Sequence, residues 1–213
     1  MSNCSNGKGK GKLVIFSAPS GTGKGTVLKI LLELCDDIVA SVSWTTRSPR
    51  EGEIDGVHYH FKTQEEFEQL ASADGFLEFA GVFDNRYGTP KDFVEDNIAL
   101  GKSVVLEIDI QGALQVMEKC GDYVSIFLLP PGMNELRRRL EDRGTETPEK
   151  IEKRLATAYR ELGAAENYQY CIINDDINAA VDAMSDVLDG KNPENHLTAE
   201  YIDFIKTLQE ERT

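Results

Sequence analysis

The sequence predicts an α/β fold, a doubly wound parallel sheet flanked by helices, on three observations. Short continuous apolar runs recur at Leu13–Phe16, Ser103–Ile110, Val124–Leu129 and Tyr170–Ile173, the composition of strands buried on both faces. Segments of helical apolar period separate these runs, and that alternation builds parallel α/β layers. The first run leads straight into the glycine-rich stretch Ala18-Pro19-Ser20-Gly21-Thr22-Gly23-Lys24-Gly25-Thr26, after which Val27, Ile30, Leu31 and Leu34 fall at helical spacing. A strand, a glycine loop and a helix therefore follow one another.

The remaining elements come in order. Ile38–Trp44 reads as a second strand, apolar and β-branched, and residues 45–56 as a polar loop rich in Arg, Pro and Gly. Val57–Phe61 alternates like a strand with one wet face. Thr63-Gln64-Glu65-Glu66 has capping-box spacing and opens a short helix through Phe67 and Leu70. Phe76–Phe83 is a strand, and Thr89-Pro90 supplies an N-cap and a first-turn proline for the next helix. The Ser103–Ile110 strand ends in carboxylates. Helices are expected from Asn134, from Pro148 to about Tyr168, and from near Asp176. The stretch from Ser43 to Pro90 breaks the strand–helix rhythm and reads as an inserted mixed α/β subdomain, residues 43–90. The core is then 12–42, 91–136 and 157–190, preceded by a polar, disordered leader, 1–11, and followed by a helical extension, 191–213. In that extension Tyr201, Phe204, Ile205 and Leu208 mark an amphipathic helix that packs on the core or on a partner subunit of a homo-oligomer.

Composition narrows the classes. A chain of 213 residues, 40% hydrophobic and 28% charged, is that of one ordinary globular domain with small insertions. The net charge of −14 argues against a general nucleic-acid surface, which needs excess Lys and Arg to neutralise phosphates. A bound polyanion must be met by a local basic site. No apolar run approaches the roughly 20 residues that span a bilayer, and the polar start lacks a signal peptide's apolar centre. Cys4, Cys35, Cys120 and Cys171 have no Cys-x-x-Cys spacing and read as free thiols of a reducing compartment, which places the protein in the cytoplasm.

Three constellations carry chemistry. In the glycine loop, Ser20, Gly21, Thr22, Gly23, Lys24, Gly25 and Thr26 can turn backbone N–H groups toward phosphate oxygens, with the following helix presenting its positive end and Lys24 a mobile charge. The usual pattern is G-x-x-x-x-G-K-[ST]; Ala18 stands at the first glycine, Gly25 at the residue that ligates magnesium, and Thr26 one place later. The second constellation is Ser43-Trp44-Thr45-Thr46-Arg47-Ser48-Pro49-Arg50-Glu51-Gly52-Glu53 with Tyr59. Arg47 and Arg50 have the forked geometry to clamp a second phosphate, or form a plain solvated loop. The third is Arg137, Arg138, Arg139, Arg143 and Arg154, either a charged helix face paired with Glu135, Glu141 and Asp142 or a phosphate-binding set. Asp109 ends a buried strand at the sheet edge where open α/β folds bind ligands. Tyr59 and Tyr87 read equally as aromatics of a small core, Glu78 as the wet face of a strand, and Asn174-Asp175-Asp176 as a turn and helix cap. His58 and His60 share a strand face without a third ligand, so a metal site there is not expected.

The runs SAPSGTGKGT, SVSWTTRSPREGE, HYHF, FLEFA, RYGTP, LEIDIQG, LEDRGTET and INDD together resemble the guanylate kinase family in order and spacing, from about Lys12 to Asp189. The resemblance implies a P-loop NTPase fold and transfer of the ATP γ-phosphoryl group to GMP, and to dGMP, with magnesium. It implies that Arg47, Arg50, Glu53, Tyr59 and Tyr87 serve the GMP phosphate side and Ser43, Glu78, Thr89 and Asp109 the guanine. Arg139, Arg143 and Arg154 become arginines of a helical lid, residues 137–156, and Asn174 a contact for adenine. Glu107 matches an acidic position near the phosphates or metal. Magnesium is expected on Thr26 or mainly on water and ATP phosphates. Two other readings remain: a different nucleoside-monophosphate kinase, since Gly25-Thr26 resembles the adenylate kinase loop, and an inactive binding module of the same fold.

Overall fold

The computed structural model describes residues 11–82, 84–142, 147–191 and 196–211. Phe83 and Arg143 lie outside them, as does the leader except Gly11. Gly11 is buried, and a Cβ there would sit 2.1 Å from the Lys102 carbonyl oxygen. The last residue of the predicted leader is thus packed on the fold.

The chain forms two compact units. The strand β1 (Leu13–Ser17) contributes to both and is buried throughout, as its unbroken apolar run requires. One unit, residues 16–36 and 124–211 in its described part, contains β8 (Val124–Leu129) and β9 (Tyr170–Ile173), paired in parallel with Phe127 opposite Cys171. It also contains α1 (Lys24–Leu34), α5 (Met133–Glu141), α6 (Pro148–Leu162), α7 (Ile177–Leu188) and α8 (Ala199–Glu210). Here α1 packs on α7, α5 on α6, and α6 on α8. The other unit, residues 11–15 and 37–123, pairs β2 (Ile38–Ala40) in parallel with β7 (Ser103–Glu107). The strand order of the main sheet is β2-β7-β1-β8-β9.

That second unit also holds a smaller mixed sheet, β4-β3-β6-β5, from β3 (Trp44–Thr45), β4 (His60–Phe61), β5 (Phe76–Val82) and β6 (Asn85–Pro90). With it go α2 (Gln64–Ser72), α3 (Lys91–Ala99) and α4 (Ile110–Lys119). The α2 capping box is present, Thr63 Oγ1 accepting from Glu66 N–H and the Glu66 carboxylate from Thr63 N–H. Phe67 and Phe76 stack at 4.5 Å, with Phe79 and Trp44 edge-on or tilted around them. This small aromatic core leaves Tyr59 and Tyr87 free for other partners.

Several boundaries depart from the sequence reading for identifiable reasons. Ile38–Trp44 is two strands, because the chain leaves one sheet after Ala40 and joins the other at Trp44. Only His60–Phe61 of the Val57–Phe61 segment is strand; Val57 and His58 turn back onto the Ile54 carbonyl. Thr89-Pro90 ends β6, and Pro90, not Thr89, stands at the N-cap of α3. The Ser103–Ile110 run stops at Glu107, since Asp109 caps α4 by accepting from Gly112 N–H. The helix from Pro148 ends at Leu162 and a 3-10 turn spans Gly163–Asn167. Cys120 and Cys171 are free thiols, but Cys35 is disulfide-bonded, unlike the four free thiols expected. The α8 helix buries Ile205 and Leu208 and packs on α6 of its own chain. Among the described residues no helix is long and apolar enough to cross a membrane.

Candidate active site

The glycine loop requires its glycines. Gly21 and Gly23 have φ of 93° and 99°, the left-handed region that costs a side chain about 1–2 kcal/mol. A Cβ on Gly21 would meet Leu140 Cδ2 at 2.8 Å, and one on Gly23 would meet Asn174 Nδ2 at 2.7 Å. Gly23 is the N-cap of α1, with no side-chain cap and no acidic residue in the first turn. The positive end of α1 therefore has no carboxylate cap of its own and suits an anion.

The first unit braces this loop from its far side. The Thr22 carbonyl accepts from Asn174 Nδ2 at 2.7 Å and from Arg139 Nη1 at 3.5 Å. Arg139 also donates to the Asn174 carbonyl and to Glu135, whose carboxyl is lowered to about 2 by Arg138 and Arg139. Arg154 Nη1 donates to Ser20 Oγ at 3.2 Å, and Ser20 N–H to Glu161 Oε2 at 3.3 Å. A cleft of about 500 Å³ opens here, lined by Gly21, Gly23, Thr26, Arg139 and Asn174 among others. Gly25 and Thr26 are exposed and Lys24 half-buried. Arg139 and Arg154 thus meet the loop, whereas Arg137 pairs with Glu152 and Arg138 with Glu135 and Asp142 in solvated ion pairs. Arg143 lies outside the described residues.

The second unit assembles two further groups. Glu53 takes the end of the Arg47 guanidinium with both oxygens, Nη1 and Nη2 each at 2.9 Å, and Nη1 also donates to the Ser48 carbonyl. Glu53 accepts from Arg50 N–H too, and Arg47 holds its carboxyl down to about 2. The Arg47 guanidinium lies over the Tyr59 ring, 5.5 Å from its centroid, and Tyr59 meets Tyr87 edge-on at 5.7 Å. Burial pushes the Tyr59 phenol up. Arg47 Nε is buried without a partner among the described residues, and the Arg50 side chain is exposed. The Tyr59–Tyr87 pair belongs to an arginine cluster and not to the aromatic core.

Glu78 is buried, so the wet-face reading fails; its Oε1 accepts from Thr89 Oγ1 at 2.7 Å. Burial pushes its carboxyl up to about 7, opposed by the Thr89 hydrogen bond and helped by the nearby Asp109 charge. Asp109 is exposed at the N-terminus of α4, and Glu107 is exposed at the end of β7. Ser43 precedes β3 and its carbonyl accepts from His60 N–H. His58 is engaged locally, its Nδ1 accepting from Ile54 N–H, and among the described residues no group of three or more His, Cys, Asp or Glu is placed to hold a metal.

Three residues of α4 complete this pocket; the sequence reading held Gly112 only as the end of the LEIDIQG run, and Gln115 and Lys119 not at all. A Cβ on Gly112 would meet Glu78 Oε2 at 2.8 Å. Gln115 Nε2 and Lys119 Nζ donate to the carbonyls of Phe79 and Leu77, the residues on either side of Glu78. Positions 112, 115 and 119 share one helix face, so the helix capped by Asp109 also fixes Glu78. For Gln115 and Lys119 the sequence signal was the apolar period of Ala113 and Val116, masked by the adjoining strand. Glu135 and Glu161 were likewise missed as braces of the phosphate loop.

A glycine loop leading into a helix whose N-terminus has no side-chain cap, beside a parallel sheet, defines an α/β nucleotide-binding fold of the P-loop NTPase class. The family model described as guanylate kinase matches residues 10–191. A guanylate kinase of Clostridium perfringens (strain SM101 / Type A) is 52% identical over 188 residues, 88% of this chain and 87% of that protein. Another, from Caldanaerobacter subterraneus subsp. tengcongensis, is 51% identical over 181 residues, 85% and 88% of the two chains. The crystal structure of guanylate kinase from Anaplasma phagocytophilum superposes with a TM-score of 0.70 at 39% identity, covering 92% of this chain and 94% of that one. The chain belongs to the guanylate kinase family.

Proposed function

We propose that the protein transfers the γ-phosphoryl group of ATP to GMP, and to dGMP, giving ADP and GDP in cytoplasmic purine nucleotide metabolism. The observation that carries this reading is the buried Glu78–Thr89 pair, which shares a unit with Asp109 and the Arg47–Tyr59–Tyr87 cluster. Guanine presents N1–H and a 2-amino group, donors that carboxylates at Glu78 and Asp109 accept. Adenine would set a ring nitrogen acceptor against a carboxylate. Glu78, being buried, would be left unpaired at a cost of about 1–3 kcal/mol. Ser43 addresses the same base. Arg47, already oriented by Glu53 over the Tyr59 ring, supplies positive charge for the GMP phosphate, joined by Arg50, Tyr59 and Tyr87.

ATP is assigned to the first unit. Its β- and γ-phosphates lie in the glycine loop at the positive end of α1, with Lys24, Arg139 and Arg154 neutralising charge, and its base enters the cleft beside Asn174. Arg143 joins them in this reading, and residues 137–156 act as the lid. Phosphoryl transfer needs positioning and charge stabilisation more than a strong base, since the acceptor is already an anion. The donor set suits a magnesium ion that keeps water and phosphate ligands: Gly25 has no side chain, and Thr26 Oγ1 on the cleft is the protein group that would hold it. Such an ion supplies neutralisation of the β- and γ-oxygens.

A coupled assay with ATP and magnesium, offering GMP, dGMP, AMP, UMP and CMP in turn, tests the reading. Turnover is expected with GMP and dGMP. Turnover with AMP in their place would establish the other kinase class, and none with a folded protein would establish the binding module.

The Glu78 carboxyl adds a pH signature. Because its value in the free protein is raised to about 7, the proton must leave before the carboxylate accepts from guanine. Below about pH 7, kcat/KM for GMP is therefore expected to fall by up to tenfold per pH unit, and to level off above it. Glu78→Gln should remove this component while leaving any inflection from the GMP phosphate, whose second pKa is about 6. The same group acts oppositely on the fold. Its raised value stabilises the native state fully below the ordinary carboxyl range, and that contribution is lost as pH rises through about 7. A wild-type profile identical to that of Glu78→Gln would disprove the assignment.

A further inference from the structure

The residues beyond 191 lie outside the family match, yet Glu211 lies against the helix that carries Arg139. The α8 helix is held on α6 by fully buried Leu208 and nearly buried Ile205. At its end the Glu211 carbonyl accepts from Tyr159 Oη of α6, and Glu211 Oε2 accepts from Met133 N–H at 2.9 Å. Met133 is the first residue of α5, whose own N-cap, Gly132, has no side chain to satisfy the helix's free N–H groups. Glu211 therefore acts as the missing cap, placing a carboxylate at the positive end of α5. The rest of α5 rests on the phosphate loop: Leu136 and Leu140 close over Gly21, and Arg139 grips the carbonyls of Thr22 and Asn174.

We propose that Glu211 is a positioning residue for phosphoryl transfer, capping α5 from the other end of the chain and so setting Arg139 and Leu140 against the phosphate loop. This rests on the reading that the loop and Arg139 hold ATP. A helix of nine residues has few turns over which an error at its start can be absorbed, so a loosened Met133 is transmitted to Arg139 within two turns.

Glu211→Ala is expected to raise KM for ATP about three- to tenfold, the size of a lost helix cap, with KM for GMP unchanged within twofold. The Met133 amide should exchange hydrogen faster by a similar factor. Gly132→Asp in the Glu211→Ala background supplies a local cap and should restore both values; Gly132 has extended φ and ψ that aspartate adopts. Should Glu211→Ala not fold, Glu211→Gln, which keeps a weaker acceptor, is expected to show the same split in smaller measure. An unchanged KM for ATP, a parallel rise for both substrates, or no rescue by Gly132→Asp would overturn the proposal. Arg139→Ala separates the two layers: if it binds ATP as tightly as wild type while Met133 exchange still depends on Glu211, the assignment of Arg139 fails and the cap stands as structural only.

Discussion

Lys24→Ala is expected to fold like the wild type and to turn over at least about a hundredfold more slowly, a loss of roughly 2.7 kcal/mol of transition-state stabilisation. The loop's shape is set by Gly21 and Gly23 and by braces from Asn174, Arg139, Arg154 and Glu161. Lys24 begins α1 on the side of Gly23 that carries the positive helix end. A charge there acts on phosphate oxygens as negative charge spreads over the transferring group, so it is felt most in the transition state. The loss should consequently appear in kcat, with a smaller change in KM for ATP. Arg50→Ala provides the contrast: it belongs to the other unit, and its effect should fall on KM for GMP as well as on kcat. Thermal melts within a few degrees of wild type, with single-turnover rates, provide the check. A Lys24→Ala enzyme at wild-type rate would show that the loop does not carry the reaction.

The sequence made the main sheet legible because strands buried on both faces leave an unmistakable record: β1, β8 and β9 lie where the apolar runs lie. It was poorer where one run serves two structures. Ile38–Trp44 is continuous in hydrophobicity yet changes sheets midway, and Ser103–Ile110 contains both a strand end and a helix cap. Hydrophobicity reports burial, not which neighbour does the burying. The arginines show the same division. Side-chain type marked Arg47, Arg139 and Arg154 as candidates, but only the folded chain shows Glu53 occupying the end of Arg47, and Arg137 and Arg138 spent on surface carboxylates. Glu78 alternates with Leu77 and Phe79 as an exposed strand residue would. Its burial comes from α4, a segment more than 30 residues away in the chain, and no local pattern encodes that.

That dependence on α4 gives the second large expected effect, from Gly112→Ala. The added methyl would stand 2.8 Å from Glu78 Oε2, closer than real Cβ contacts come, and 3.1 Å from its carboxyl carbon, tighter than most of them. Gly112 is helical and buried, so alanine suits the backbone and even favours the helix by about 0.8–1 kcal/mol. The strain falls on the carboxylate. Glu78 is fixed on its other side by Thr89, and its flanking carbonyls are held by Gln115 and Lys119, so it has little room to retreat without surrendering the Thr89 hydrogen bond. The guanine donor that Glu78 accepts would then lose or lengthen its bond, at about 1–3 kcal/mol, which corresponds to roughly a fivefold to hundredfold loss in kcat/KM for GMP. KM for ATP should be unaltered, and the preference for GMP over AMP should narrow. Gly121→Ala is the matched control, since a Cβ there meets nothing within 4 Å. If Gly112→Ala lowered activity toward every acceptor equally, or left GMP untouched, the site that reads guanine would have to lie elsewhere than at Glu78.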